Sequence, residues 1–235
     1  MARFARVVMP EVPHHVTQRG NARQRIFAAD TDRATYLALL RQYSQLYRLS
    51  VLGYCLMSNH VHLIVVPGTS QALSQTLKLT HGRYAAYWNA RISSSGHVWQ
   101  GRFYSCPLDQ PHLWAALRYV ELNPVRAAIV KSAEQWRWST AAVHCGGLPD
   151  PLVKMEEFTR RWAASEWRAQ LQAGDSQEDV AALRQFTHTG RPLGSAEFTE
   201  ELEQSTMRIL AAAKAGRPNK KIAEHRRRRA LAFVA

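Results

Sequence analysis

Residues 55–67 read CLMSNHVHLIVVP. His60 and His62 stand two apart at the head of an apolar run, Leu63-Ile64-Val65-Val66. Such a run predicts a strand, and side chains two apart on a strand share a face. The two imidazoles therefore point the same way. They are either a pair of satisfied core histidines or two ligands aimed at one divalent ion. The spacing alone leaves both readings open. Two histidines rarely complete a metal site, and the neighbouring chain offers no carboxylate. From Arg33 to Leu108 there is no Asp or Glu, against seven Lys/Arg. This stretch reads as a surface kept clean for phosphates.

A third ligand must come from Asp109, Glu121 or Asn123. The segment LWAALRYVELNPVRAAIV (Leu113 to Val130) predicts a helix on which Tyr119 and Asn123, four apart, share a face. Ala115 and Ala116 lie one turn earlier and leave space beside the tyrosine. A hydroxyl next to an amide able to bind metal suggests a nucleophile beside a Lewis acid. Tyrosine on an amphipathic helix is also an ordinary core-edge residue. Glu121 falls off this face and reads as a surface charge.

The elements that must position these groups follow from periodicity. PHHVTQRGN (Pro13 to Asn21) alternates like a strand and ends on a Gly-Asn turn. Its two histidines, His14 and His15, face opposite sides. Asp30 or Asp32 caps a helix to about Ser50, with Tyr36, Leu39, Leu40, Tyr43 and Tyr47 on its apolar face. Val51 to Met57 and Asn59 to Pro67 are strands joined at Ser58-Asn59. Ser70 to Ile92 is helical. Val98 to Leu108 reads as a strand pair or a strand bent at Gly101. Pro111 sits at the start of the next helix, and Pro124 predicts its end near Asn123. The order β-α-β-β-α-β-α predicts an α+β, ferredoxin-like fold: an antiparallel sheet with helices on one face and the other face open for a site.

The formal charge is +13, with an isoelectric point near 10.2, which implies a polyanionic partner. Residues 1–149 hold 16 Lys/Arg against 6 Asp/Glu; residues 150–213 hold 7 against 11; residues 214–235 hold 8 against 1. The sign changes at the turn cluster CGGLPDP (145–151). We therefore expect a catalytic domain over 1–148, a helical accessory region over 149–213 and a disordered basic tail over 214–235. A helix-turn-helix-like element is expected near 194–213. No apolar run approaches the roughly 20 residues of a membrane span, and the N-terminus lacks a signal-peptide core. Cys55, Cys106 and Cys145 form no CxxC pair, which excludes a thiolate zinc cluster and fits a reducing cytoplasm.

His60-Val61-His62 after YCLMSN, together with WQGRF (Trp99 to Phe103) and YVELNPVR (Tyr119 to Arg126), resembles the single-tyrosine HUH transposases. Within them the chain resembles the REP-associated tyrosine transposases over roughly residues 5–145, including the HHVTQRGN strand. The resemblance implies the ferredoxin-like fold and cleavage of single-stranded or hairpin DNA with Mg²⁺ or Mn²⁺, leaving a 5′-phosphotyrosine and a free 3′ hydroxyl. It makes His60 and His62 metal ligands and Tyr119 the nucleophile. Asn123 takes the third-ligand position, where many relatives outside this branch have glutamine. The expected location is cytoplasmic and nucleoid-associated. Relatives include monomers and dimers with shared active sites, so a homodimer is one expected state.

Other basic and aromatic residues are candidate DNA contacts. Trp99 either stacks on unpaired bases or packs in the core, and Arg102 reads as a phosphate contact. Arg19, Arg23 and Arg25 flank the Gly20 turn and could grip a hairpin backbone. Arg217 with Lys220 and Lys221 forms either a minor-groove hook or a generic phosphate-binding tail. Two further functions compete: a non-catalytic binder of palindromic repeats, and a metal-dependent hydrolase without a covalent step. The second wants a carboxylate-rich site, which residues 33–108 cannot give.

Overall fold

The computed structural model describes residues 5–211. The elements run β1 (His14–Arg19), α1 (Asp30–Leu46), β2 (Leu49–Leu56), β3 (His60–Pro67), α2 (Ala72–Arg91), β4 (Tyr104–Pro107) and α3 (Gln110–Glu121). The four strands form one sheet in the order β2-β3-β1-β4, and every pairing is antiparallel. This is the expected α+β, ferredoxin-like arrangement. Shorter helices follow: α4 (Asn123–Arg126), α5 (Ala141–His144), α6 (Glu156–Arg161), α7 (Ala164–Ala173), α8 (Gln177–Thr189) and α9 (Ala196–Thr206).

Strand alternation divides the sheet into two chemically distinct faces. Val61, Leu63 and Val65 lie opposite Gln18, Val16 and His14. The valines and leucine are fully buried with Tyr36 and Leu40 of α1 and Leu73, Leu77 and Tyr84 of α2. Each such aliphatic side chain stabilises the fold by about 1.5–3 kcal/mol relative to exposure. His60, His62 and Ile64 lie opposite Arg19, Thr17 and His15 and face the other way.

That second face is not open, contrary to expectation. Leu113, Ala116, Leu117 and Val120 of α3 pack on it with Ile64 and Cys106, joined by Trp167 of α7 and Leu183 of α8. Apolar Leu52, Cys55 and Ile64 on this side need cover as much as those on the other. The charge reversal near residue 149 also does not mark a structural division. One compact unit extends to Gly194, and a second begins at Ser195. Buried contacts between α3, α7 and α8 carry the first unit past the sign change. In the second unit, Ser195 caps α9 by accepting from the Phe198 N–H. The described residues of 194–211 hold one helix rather than the helix pair expected there.

Two element ends also differ. The first helix stops at Leu46 rather than Ser50, because Arg48 adopts a left-handed backbone (φ 57°) that turns the chain directly into β2. Only Tyr104–Pro107 of the 98–108 segment joins the sheet, while Trp99 makes a single bridge to Gly20. The helix that Pro111 opens ends at Glu121, close to the expected Asn123 and just before Pro124. Pro124 sits in the first turn of α4, where its missing N–H costs nothing.

Candidate active site

A cleft of about 540 Å³ opens where β1 and β3 meet α3, α4 and α8. His60, His62, Tyr119 and Asn123 all line it, with Arg19, His15, Arg126, Arg184 and Thr187. The ring centroids of His60 and His62 are 5.0 Å apart, and Tyr119 packs edge-on against His62 at 5.6 Å and His15 at 6.0 Å. Tyr119 is only 6% exposed. Val61 is buried on the opposite side of the sheet.

The hydrogen bonds decide what each group presents. His60 Nδ1 donates to Asn59 Oδ1 at 2.6 Å. The Asn59 amide in turn donates to the Arg23 carbonyl, tying the basic turn to the first histidine. His62 Nδ1 meets His15 Nε2 at 2.9 Å, and His15 Nδ1 meets Thr187 Oγ1 at 2.7 Å. Thr187 Oγ1 lies 3.3 Å from Cys106 Sγ. Asn123 Nδ2 donates to the carbonyls of Tyr119 and Val120, both at 3.2 Å. Among the described residues, His60 Nε2, His62 Nε2 and Asn123 Oδ1 have no protein partner. Two imidazole nitrogens and an amide oxygen thus remain for something else in the cleft.

Electrostatics keep the imidazoles neutral. Burial, assisted by Arg19, lowers His60 to about 4. Burial lowers His15 to about 3. His62 falls well below the usual histidine value, first through burial and then through His60, His15, Arg126 and Arg19. A neutral imidazole with one nitrogen engaged holds a lone pair on the other, which is the form that binds metals. Among the described residues there is no cluster of three His, Cys, Asp or Glu suited to a metal. The third ligating group here would be the Asn123 amide.

Two guanidinium groups flank Tyr119. Arg126 lies 4.1 Å above its ring and bonds both the Tyr119 carbonyl and Asp175. Arg184 Nε donates to the Tyr119 hydroxyl at 3.4 Å. A second cavity, about 680 Å³, shares Arg126 and Arg184 with the cleft. Its lining includes Leu122, Val125, Leu171 and Val180.

The remaining candidates fall in different places. Arg19 lines the cleft. Arg23 and Arg25 are exposed in the turn after β1, where Ala22 and Arg23 have positive φ. Arg102 is exposed on the 98–103 segment. Trp99 is half-buried and packs against the core. Its indole packs against Tyr36, His81 and Tyr84 and donates to the His81 carbonyl at 2.8 Å. Arg217, Lys220 and Lys221 lie outside the described residues. Glu121 is no surface charge: it is fully buried. Its carboxylate accepts from Thr140 Oγ1 (2.6 Å), His144 Nδ1 (2.5 Å) and Trp167 Nε1 (2.8 Å). It fixes α3 to α5 and α7, behind the tyrosine.

His15, Arg126, Arg184 and Thr187 were not singled out by sequence reasoning. Two had a signal: His15 shares strand parity with Thr17 and Arg19, and Arg126 lies two turns from Tyr119 in the YVELNPVR segment. Arg184 and Thr187 had none, since α8 belongs to an acidic stretch.

Residues 9–123 match the family of IS200-like transposases, and this segment is a transposase domain of that family. In a structural comparison the chain is similar to a REP-associated tyrosine transposase solved bound to a REP hairpin. The TM-score is 0.51 with 16% identity, over 69% of this chain and 92% of that one. A second match, a candidate transposase from Deinococcus radiodurans, has 14% identity and a TM-score of 0.36, over 55% and 92%. No curated protein sequence matches. Among the described residues no helix is long and apolar enough to cross a membrane.

Proposed function

We propose that this protein is a metal-dependent, single-strand DNA endonuclease and strand transferase acting at or near hairpin repeats through a covalent 5′-phosphotyrosine. One observation carries the reading. The Tyr119 ring packs against His62 in a cleft where His60, His62 and Asn123 each keep one ligating atom free of protein partners. That donor set, two neutral nitrogens and an amide oxygen, fits Mg²⁺ or Mn²⁺ with remaining positions for water and phosphate oxygen. The bound ion would supply a Lewis acid at the scissile phosphate.

The protein's own residues do the rest. Tyr119 Oη attacks phosphorus, and the bond to the 3′ oxygen breaks. Arg19 at the cleft wall, with Arg23 and Arg25 in the adjacent turn, offers phosphate contacts on the hairpin side. The REP-associated relative was solved with a REP hairpin, which supports hairpin DNA as the partner.

The test incubates the protein with Mn²⁺ and a labelled hairpin oligonucleotide and looks for a denaturation-stable adduct. The parent should form it, and Tyr119→Phe should not. An adduct in Tyr119→Phe would assign the nucleophile elsewhere. Tight hairpin binding without adduct, across metals and substrates, would favour a non-catalytic binder.

A further inference from the structure

Helix α8 comes from the acidic stretch beyond the family match, yet it forms one wall of the cleft. We propose that Arg184 of α8 is a catalytic residue whose guanidinium stabilises negative charge on the Tyr119 oxygen as that oxygen joins and leaves the phosphodiester. This rests on the reading of Tyr119 as nucleophile.

The geometry separates the two arginines that touch the tyrosine. Arg126 covers the ring but is committed to Asp175 and to a backbone carbonyl. Arg184 is the one aimed at the reacting atom, with Nε at 3.4 Å from Oη and its guanidinium carbon 5.9 Å from the ring centroid. Among the described residues no carboxylate forms an ion pair with Arg184, so its charge is undivided. It is solvent-exposed at the cleft wall, open to an incoming phosphate.

The placement of Arg184 follows from how α8 is fixed. Leu183 and Thr187, four apart, are buried on its inner face. Thr187 hydrogen-bonds His15 and Cys106. Arg118 of α3 pairs with Asp175 and Asp179 at the start of the helix. Ser176 caps the N-terminus, and Gly190 ends the helix in a left-handed turn (φ 75°). Adjacent to Leu183, Arg184 is carried to the rim beside Tyr119.

In the step, Tyr119 Oη forms its bond to phosphorus while the bond to the 3′ oxygen breaks. The phenolic proton passes to solvent, and the 3′ oxygen takes one up to leave as a hydroxyl. Rejoining runs the same exchange backwards, with the phenolic oxygen as leaving group. A guanidinium remains charged throughout. It therefore acts as a fixed donor where charge develops in both directions, not as a base.

The test measures single-turnover adduct formation on a labelled hairpin with Mn²⁺, with hairpin affinity measured separately in a Tyr119→Phe background. Arg184→Ala should slow the adduct about 100-fold while changing affinity less than about 3-fold. Arg184→Lys should retain roughly a tenth of the parent rate. Guanidinium chloride at about 50 mM should recover part of the Arg184→Ala rate where the same ionic strength of sodium chloride does not. An Arg184→Ala rate within about 3-fold of the parent overturns the proposal. So does a rate loss matched by equal loss of affinity, or one that guanidinium leaves unchanged. An adduct in Tyr119→Phe instead removes the nucleophile reading, and this proposal with it, independently of any Arg184 result.

Discussion

The two faces of the sheet both bury histidines, but the hydrogen bonds end differently. On the α1/α2 face, His14 has both nitrogens engaged by backbone: Nδ1 donates to the Val12 carbonyl at 2.7 Å, and Nε2 accepts from the Met9 N–H. His81 bonds the Tyr36 hydroxyl at 3.0 Å and lies among Tyr36, Trp99 and Phe103. On the α3/α8 face, His60 and His62 each engage Nδ1 and leave Nε2 without a protein partner. Burial alone therefore does not distinguish a packing histidine from a ligand. What sets His60 and His62 apart is a free Nε2 on each facing one cleft: His15 has both nitrogens engaged, as His14 does, and the unpaired Nε2 of His144 lies in the packed core.

The largest effect should come from removing an unspent nitrogen. His62→Ala should lower cleavage about 10³-fold or more and abolish Mn²⁺ binding followed by calorimetry, since it would delete a ligand to the ion that the proposed function places at the phosphate. His14→Ala should leave Mn²⁺ affinity within about 3-fold while lowering stability by about 1–3 kcal/mol, the cost of stranding buried backbone groups. Equal loss of Mn²⁺ binding in both variants would erase the contrast between the faces.

The cleft face also holds a wholly structural polar group, and it should behave differently from its neighbour. Glu121 and Tyr119 are two residues apart on α3, yet only Tyr119 reaches the cleft. Glu121→Ala should destabilise the fold by about 3–5 kcal/mol in denaturant titrations, because it leaves the buried His144, Thr140 and Trp167 donors uncompensated. Tyr119→Phe should shift stability by less than about 1 kcal/mol.

Much of this arrangement is legible in the residues themselves. Alternation along His60–Pro67 assigns His60 and His62 to one face and Val61 to the other. The order of strands and helices follows from periodicity and turn residues, and the Tyr119–Asn123 spacing puts both on one side of a helix. What is not legible depends on distant partners. Nothing near Glu121 signals burial, because its partners lie at positions 140, 144 and 167. Thr187 meets His15 across 172 residues of chain. Net charge misdirects here: the acidity of residues 150–213 is spent partly on Arg118 and Arg126, which anchors α8 against the site. Trp99, an aromatic beside basic residues, packs half-buried against Tyr36, His81 and Tyr84, which its neighbours in sequence do not signal.

The histidines of both faces share one consequence, which appears as acid sensitivity. Burial lowers His14 and His60 to about 4 and His15 and His81 to about 3, against about 6.5 when unfolded. Below pH 6.5 the unfolded chain binds protons that the native state refuses, so stability falls as pH drops from about 6.5 toward 4. Each group contributes up to about 1.4 kcal/mol per pH unit in that window. Melting temperature should therefore fall steeply between about pH 6.5 and 5. His14→Gln should flatten the slope by about one proton. Saturating Mn²⁺ at pH 7 should raise the melting temperature of the parent and of His14→Gln but not of His62→Ala, since the ion stabilises only a native state that binds it. A slope unchanged in His14→Gln would mean that this histidine is protonated in the native state.

The smallest effect tests the relay behind His62. For His62 Nε2 to carry a lone pair toward the cleft, Nδ1 must bear the proton and donate it to His15 Nε2. His15 must then donate through Nδ1 to Thr187 Oγ1, and the threonine hydroxyl can donate onward to Cys106 sulfur. Thr187→Val preserves shape in the buried inner face of α8 but removes the acceptor. His15 then gains by turning its N–H toward His62, and the His62 proton is driven to Nε2, the atom a ligand must keep free. The variant should weaken Mn²⁺ about 10-fold, the scale expected for partners of metal-bound histidine. Nitrogen chemical shifts of His62 should show the change of tautomer in the metal-free protein. Cys106→Ala, one link further out, should move both readouts less. Full Mn²⁺ affinity in Thr187→Val with an unchanged tautomer would show that His62 is oriented by its strand alone.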